Sequence, residues 1–534
     1  MKKIIFKFIC ISCLIFMSCN KLDQYPLNLY TDVNYWTSED KANNVLTQAY
    51  NQMFDAGTIF QLESLTDNIF VAKATDVNTV GMGLADAYNT FFSDRWYNCY
   101  QGIKTSNVLL DNIDNIQMNS DLKERMKAEA RFLRAFQYFN LTTWFGDVPF
   151  FDYQISYVES QTIGRTAHAD IIAWVRSELN AVANLLPARQ DYTAANRGRI
   201  TKGAAMGLLA RTYLYENAWA NVASTSKNII DGQYGTYDLF PSYEGLFLPA
   251  NEYNSEVILD IGYIPETRTW DNNRDNIPMT AGARSSEFAP TQELVNDFVM
   301  LNGRPITDAA SGYNQDDPYV NRDPRLTYSS AYHGHQWKGP NGVISTIGIQ
   351  PNALPTTIDK YVPGSLNSSQ TGYYSRKWYD PTARQSDQAS GLNIIVMRYA
   401  DILLMYAEAM NEQNQMSQQV WDLTIKRIRT RAGFTDPNSL NWNASLNQSA
   451  LREIIRRERR SELVFEGTRL FDLRRWKTAE IVMNGTPTGA RFVNNNTTHI
   501  VLPLRKFNPA RDYLWPIPGS ERDINPNLTQ NPVW

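Results

Sequence analysis

Cysteine and histidine are both scarce in this chain, four of each among 534 residues. Cys10 and Cys13 fall in an apolar leader, so an exported form with Cys19 modified would keep only Cys99 and no internal disulfide. Its stability must then come from a sizeable core, which a chain of this length can build. The histidines His168, His333, His335 and His499 form no His-Glu-x-x-His zinc motif. His333-Gly334-His335 supplies two ligands but has no cysteine or carboxylate nearby to complete a metal site. Neither a Gly-x-Ser-x-Gly elbow nor a Gly-x-x-x-x-Gly-Lys-Ser/Thr phosphate loop occurs. Gly81-Met82-Gly83 lacks the third glycine of a dinucleotide loop, and Asp308, Asp316 and Asp317 do not follow the calcium-loop spacing. Excess charge is missing too: 51 basic residues nearly balance 55 acidic ones, for a net charge of −4. That balance excludes the basic field of a nucleic-acid binder. Beyond the N-terminus no apolar run is long enough to read as a membrane span.

The N-terminus differs from the rest. Lys2, Lys3 and Lys7 precede an apolar stretch from Ile4 to Met17. It is shorter than the ~20 residues a helix needs to cross a bilayer, so it reads as an export signal. Phe16-Met17-Ser18-Cys19 places a small residue before a cysteine and is similar to a bacterial lipobox. The expectation is a lipoprotein signal over 1–18, acylation at Cys19, and a lipidated tether over 19–37 that contains Pro26. Each buried methylene contributes ~0.8 kcal/mol, so several acyl chains hold a protein on a membrane without a spanning helix.

Three regions follow. Helical patterns fill 38–234, with segments expected over 39–54, 92–115, 120–144, 166–186 and 201–231. The third is clearest, because Ala128, Phe132, Ala135, Phe136 and Phe139 fall on one helical face. Gly146 and Pro149 stop it. Region 235–396 is loop-rich, punctuated by Gly, Pro, Asn and Asp, with short apolar runs such as Val257-Ile258-Leu259 and Val343-Ile344 that predict a few strands. The third region, 397–534, is helical again, with segments over 397–412, 418–432 and 447–478. The fold expected is mainly α, with tetratricopeptide-like helix pairs stacked side by side and a loop-rich ligand-binding region.

Arg456, Arg457, Glu458, Arg459, Arg460, Glu462 and Glu466 carry opposite charges at helical spacing, which predicts a structural ion-pair network between packed helices rather than a catalytic cluster. Binding chemistry is better sought among the aromatics, 12% of the chain. Sugar rings lay apolar C–H faces on indole or phenol rings, while their hydroxyls need polar partners. Long loops in compact proteins are usually functional, which selects Tyr263, Trp270, Trp337, Tyr373, Tyr374 and Trp378. Trp270 leads into Asp271, Asn272, Asn273 and Arg274, a concentrated hydrogen-bonding set. Trp96 stands open between core and site. A glycoside hydrolase needs only two carboxylates ~5–10 Å apart, so the residues alone leave that reading open.

A family resemblance runs through nearly the whole mature chain. Leu22-Asp23-Gln24-Tyr25-Pro26, Glu129-Ala130-Arg131-Phe132-Leu133-Arg134-Ala135, Trp144-Phe145-Gly146-Asp147-Val148-Pro149 and Arg322-Asp323-Pro324-Arg325-Leu326 come in this order. Arg398 to Leu404, Glu458 to Gly467, Phe471 to Trp476 and Leu514-Trp515-Pro516-Ile517-Pro518 follow. Together they resemble the SusD/RagB family of surface lipoproteins. The resemblance implies a helical scaffold that lids a SusC-like TonB-dependent outer-membrane transporter, binds oligosaccharide, needs no cofactor and does no catalysis. It also implies a polar ligand contact at Asp67 and Asn68. A peptide receptor of the same fold is the alternative it leaves.

Overall fold

A computed structural model describes residues 35–271, 273–352, 354–384, 386, 388–492 and 499–534. The signal, Cys19, most of the tether and Asn272 lie outside the described residues.

The principal helices are α1 (Glu39–Asn51), α2 (Ala56–Ser64), α3 (Thr90–Asn112), α4 (Ser120–Phe145), α5 (His168–Ala183), α6 (Lys202–Tyr215) and α7 (Trp219–Ile230), then α8 (Tyr399–Glu412), α9 (Ile425–Ala432), α10 (Gln448–Glu462) and α11 (Arg469–Arg475). From α3 to α8 each helix packs on the next, and α8 packs on α10. This is the expected tetratricopeptide-like stack. The longest element, α4, starts where the Asn119 side chain accepts the Leu122 N–H at 2.9 Å, and ends at Gly146, whose φ of +74° favours a residue without Cβ. Its apolar stripe is only part of what it buries. Helices α3 and α5 flank α4 on two sides. Glu129, Arg134, Gln137 and Asn140 are therefore buried as well, with Arg134 donating to Asn107 at 2.8 Å. Cys99 is a free, buried cysteine whose thiol is pushed up to about 12 by burial.

Three expected helices are interrupted. The 201–231 segment breaks at Asn217, which adopts φ +54°. The 418–432 segment breaks at Thr424, where ψ is −87° and the hydroxyl donates back to the Val420 carbonyl at 2.6 Å. The 447–478 segment breaks where Phe465 and Gly467 take φ values of +61° and +76°. Hydrophobic periodicity continues across each break, so it does not report them.

Strands come as short antiparallel pairs that involve the loop-rich region: β1 (Ile69–Val71), from the N-terminal region, with β3 (Phe288–Pro290), and β2 (Val257–Ile261) with β4 (Ile394–Arg398) among them. The second pair ties the two ends of the loop-rich region together. It sets Arg398 beside Glu256, and the Tyr399 N–H donates to the Glu256 carbonyl at 2.8 Å.

That juncture feeds a buried ion network. Glu458 and Glu462 lie one turn apart on α10, and Glu466 follows in the next turn. Arg325 reaches Glu458 at 2.7 Å, Glu462 at 2.9 Å and Asp323 at 2.7 Å. Arg398 reaches Glu462 at 2.5 Å, Glu466 at 2.7 Å and Glu256 at 2.6 Å. Arg429 pairs with Glu458, Arg431 with Glu256 and Glu462, and Lys377 with Glu466. The structural reading of the charged helix holds. Burial alone would raise the Glu462 carboxyl; the guanidiniums of Arg431, Arg398 and Arg325 overcome that and hold it well below the usual carboxylate range. A depressed native pKa stabilises the fold above the unfolded value, near ~4.3 for Glu, and that contribution is lost as pH falls.

Glu462→Gln leaves three buried guanidiniums short of charge, and urea unfolding is expected to show a loss of about 3–5 kcal/mol. The exposed control Glu39→Gln should stay within about 0.5 kcal/mol. The unfolding midpoint of the unmodified protein should drop between pH 5 and pH 3. A loss near zero for Glu462→Gln would show that the network does not govern stability.

Candidate ligand-binding rim

Most of the expected site residues lie in the core. The Trp378 ring is buried, donates from Nε1 to the Phe465 carbonyl at 2.8 Å and packs edge-on to Phe247. Trp337 is buried against Tyr379. Tyr373 is buried and its hydroxyl donates to Gln292 at 2.6 Å; Tyr374 is buried beside it. Trp96 is buried on α3 between Tyr100 and Phe145. In this structure none of these rings offers a face to a ligand. The correction has one cause: the loop-rich region builds its own apolar interior, so a loop aromatic there is not thereby a surface aromatic.

The polar pair Asp67 and Asn68 is also occupied. Asp67 takes a bidentate pair from Arg469, both distances 2.9 Å, and a third contact from Arg460 at 2.9 Å. Burial would raise its pKa, but Arg460 and Arg469 hold the carboxyl well below the usual range. Asn68 donates to Glu63 at 2.8 Å and accepts from Arg460 at 2.9 Å. Glu63, also bonded by the Gly467 N–H, is pushed up to about 7 by burial. These groups fasten α2 to the turn after α10. Asn273 is buried too, donating to the Lys377 carbonyl at 2.9 Å.

Trp270 is different. It is half-buried, with its Nε1 donating to the Leu392 carbonyl at 2.8 Å and its backbone bridged to Ser390. Phe60 and Tyr263 flank the indole at centroid distances of 6.1 and 6.4 Å. Tyr263 itself is anchored where its hydroxyl accepts the Ala56 N–H at 3.0 Å, and Arg268 lies over its ring at 5.0 Å. Asp271 and Arg284, next along this edge, pair at 3.3 Å with side chains 64% and 52% exposed. Arg284 also donates to Asp275 at 3.0 Å. The half-buried Arg274 accepts the Arg284 N–H at 2.8 Å through its backbone carbonyl. The β1–β3 pairing adds Lys73, which meets Glu287 at 2.8 Å. The result is an aromatic step fixed from behind, bordered by exposed groups of both signs. Phe60, Arg268, Arg284 and Lys73 were not expected from the sequence. Arg284 is close enough in the chain to Trp270 to have been inferred; Lys73 reaches the rim only through strand pairing.

The histidine pair is structural. His333 Nδ1 accepts from the backbone N–H groups of Ile349 and Gln350, and burial pushes His335 down to about 3. Among the described residues no group of three His, Cys, Asp or Glu side chains could hold a metal ion, and no helix is long and apolar enough to cross a membrane.

Residues 255–534 match the SusD family model, and residues 21–214 match a model described as starch-binding associating with outer membrane. SusD-like protein P2 of Formosa agariphila is 25% identical over 96% of each chain. A SusD-like protein of Bacteroides ovatus is 24% identical over 97% of this chain and 96% of its own. Among solved structures, a SusD-like carbohydrate binding protein from Bacteroides fragilis aligns with a TM-score of 0.85 at 29% identity, covering 93% of this chain and 100% of that one. By sequence along its C-terminal half and by its stacked helical architecture, this chain belongs to the SusD family.

Proposed function

We propose that this protein captures an oligosaccharide at the cell surface by stacking and hydrogen bonding, without covalent chemistry, and passes it to a SusC-like TonB-dependent outer-membrane transporter. Family membership supports the reading, as does the relative from Bacteroides fragilis named a carbohydrate binding protein. The observation that carries it is the Trp270 rim. An indole pinned through Nε1 presents its ring with little rotamer freedom left to lose, which favours stacking of a sugar face. Asp271, Arg284 and Lys73 stand where ring hydroxyls would find acceptors and donors. Asn272 and Arg274 belong to the same proposed contact set, with Tyr263 supporting the indole.

Asp67 and Glu63, the latter bonded by Asn68, support the site indirectly by fastening α2, which carries Phe60, while Trp96, Trp337, Tyr373 and Trp378 belong to the core. Lipid on Cys19 would hold the protein on the outer membrane, facing outward.

Binding is best measured by screening the purified chain from Asn20 onward against glycans and peptides. Trp270→Ala should weaken the glycan found at least tenfold, about 1.4 kcal/mol. Trp378→Ala should instead cost about 3–5 kcal/mol of stability while the folded fraction binds as before. Unchanged affinity in Trp270→Ala would remove the rim from the site. Binding of peptides alone would overturn the sugar assignment, and new reducing ends on incubation would make the protein an enzyme.

Cys19→Ser should move the protein from the membrane fraction to the soluble one. Retention in the membrane would refute the anchor.

A further inference from the structure

A cavity of about 390 Å³ opens between the loop that joins α5 to α6 and the chain leading into β2. That volume is at the small end of the range for organic ligands. Val257 and Ile258 form an apolar floor, and Tyr192 and Tyr253 contribute rings.

Its charge is unbalanced. Three arginines line it, against one carboxylate. Arg199 is already engaged, donating to Glu129 at 2.9 Å and to Asn43 at 3.0 Å. Arg189 donates to the Tyr253 carbonyl at 2.7 Å and lies over the Tyr237 ring, yet makes no ion pair among the described residues. Arg197 is exposed and makes none either. The lone carboxylate, Asp260, is buried, accepts from Asn393 at 2.9 Å and forms no salt bridge with the arginines among the described residues, so it offsets their charge only in part. Two guanidiniums without carboxylate partners at one small cavity suit a planar anion, which arginine binds through two parallel N–H donors. Gln190 and Thr236 add groups fitted to hydroxyls, and the tyrosines a surface for a ring face.

We infer that this cavity is a subsite for an acidic sugar, a hexuronate residue whose carboxylate is held by Arg189 and Arg197. The inference rests on the reading of the chain as a glycan binder and names a substrate class for it. The cavity is separate from the Trp270 rim: β2 begins at its floor and runs out toward Tyr263.

The test is calorimetric titration at low salt with tetragalacturonate, glucuronate-bearing and mannuronate oligomers, each beside its methyl ester, which keeps the rings and removes the charge. At least one acid should bind tenfold or more tighter than its ester. Arg197→Gln, which breaks no side-chain hydrogen bond or ion pair among the described residues, should reduce the acid to the affinity of the ester, and Arg189→Gln should do the same. Arg197→Lys should recover only part, because an ammonium cannot make the paired contact. Trp270→Ala should lower acid and ester together and leave their ratio intact. Equal affinity for acid and ester, or no effect of either arginine variant, would overturn the inference while leaving glycan capture at the rim in place. Binding of sulfated neutral oligosaccharides but of no uronate would overturn the carboxylate assignment. Absence of binding to any glycan would defeat the inference and the receptor reading together.

Discussion

Three carboxylates buried within two turns of chain, Glu458, Glu462 and Glu466, constrain where nearly every other part of the molecule can go. A buried charge is tolerated only beside opposite charges that satisfy its geometry. The partners here are Arg325, Lys377, Arg398, Arg429 and Arg431, with Glu256 as a fourth acid. They come from the loop-rich region, from the end of β4 and from α9. Hydrophobic side chains could fill the same volume, but they would not specify which loop lies against which face of α10. The second row, Arg459 to Asp401 at 2.6 Å and to Asp472 at 2.8 Å, extends the same logic to α8 and α11.

With the framework held by these pairs, the proposed site is an edge rather than a deep cleft. Trp270 is held by β4-side backbone at Ser390 and Leu392, while Phe60 behind it belongs to α2, which Asp67 and Glu63 lock to the turn after α10. A ligand meeting the rim therefore meets side chains whose positions are set by contacts far from it in sequence. The polar residues once expected to touch ligand do their work one layer further in.

The scaffold was legible where a single rule applied. Phe132, Phe136 and Phe139 at helical spacing announced α4, the alternating charges of Arg459 and Glu462 announced an ion network, and Val257 to Leu259 announced β2. The helix breaks were not, because they depend on φ values at Asn217 and Phe465 that apolar periodicity does not record. The site was only partly legible. Trp270 and Trp378 both sit in polar loop sequence, and nothing local separates them. Trp378 is buried, donating to the Phe465 carbonyl 87 residues away, whereas Trp270 stays half open although its own partner Leu392 is buried. Loop membership predicted exposure for both, and pairing decided otherwise for one.

The order of the network along the chain has a kinetic side. Arg325, Lys377 and Arg398 are synthesised well before Glu458, Glu462 and Glu466. Until those acids arrive, Arg325 has only Asp323 and Arg398 only Glu256, and the contacts that complete the network are of long sequence separation, the slow kind to form. A product that terminates before Glu458 contains most of the apolar residues and none of the three acids. Such a chain lacks the pairs of Arg325 and Arg398 to Glu462 and of Lys377 to Glu466, so the cations buried in the finished protein are left only partly compensated.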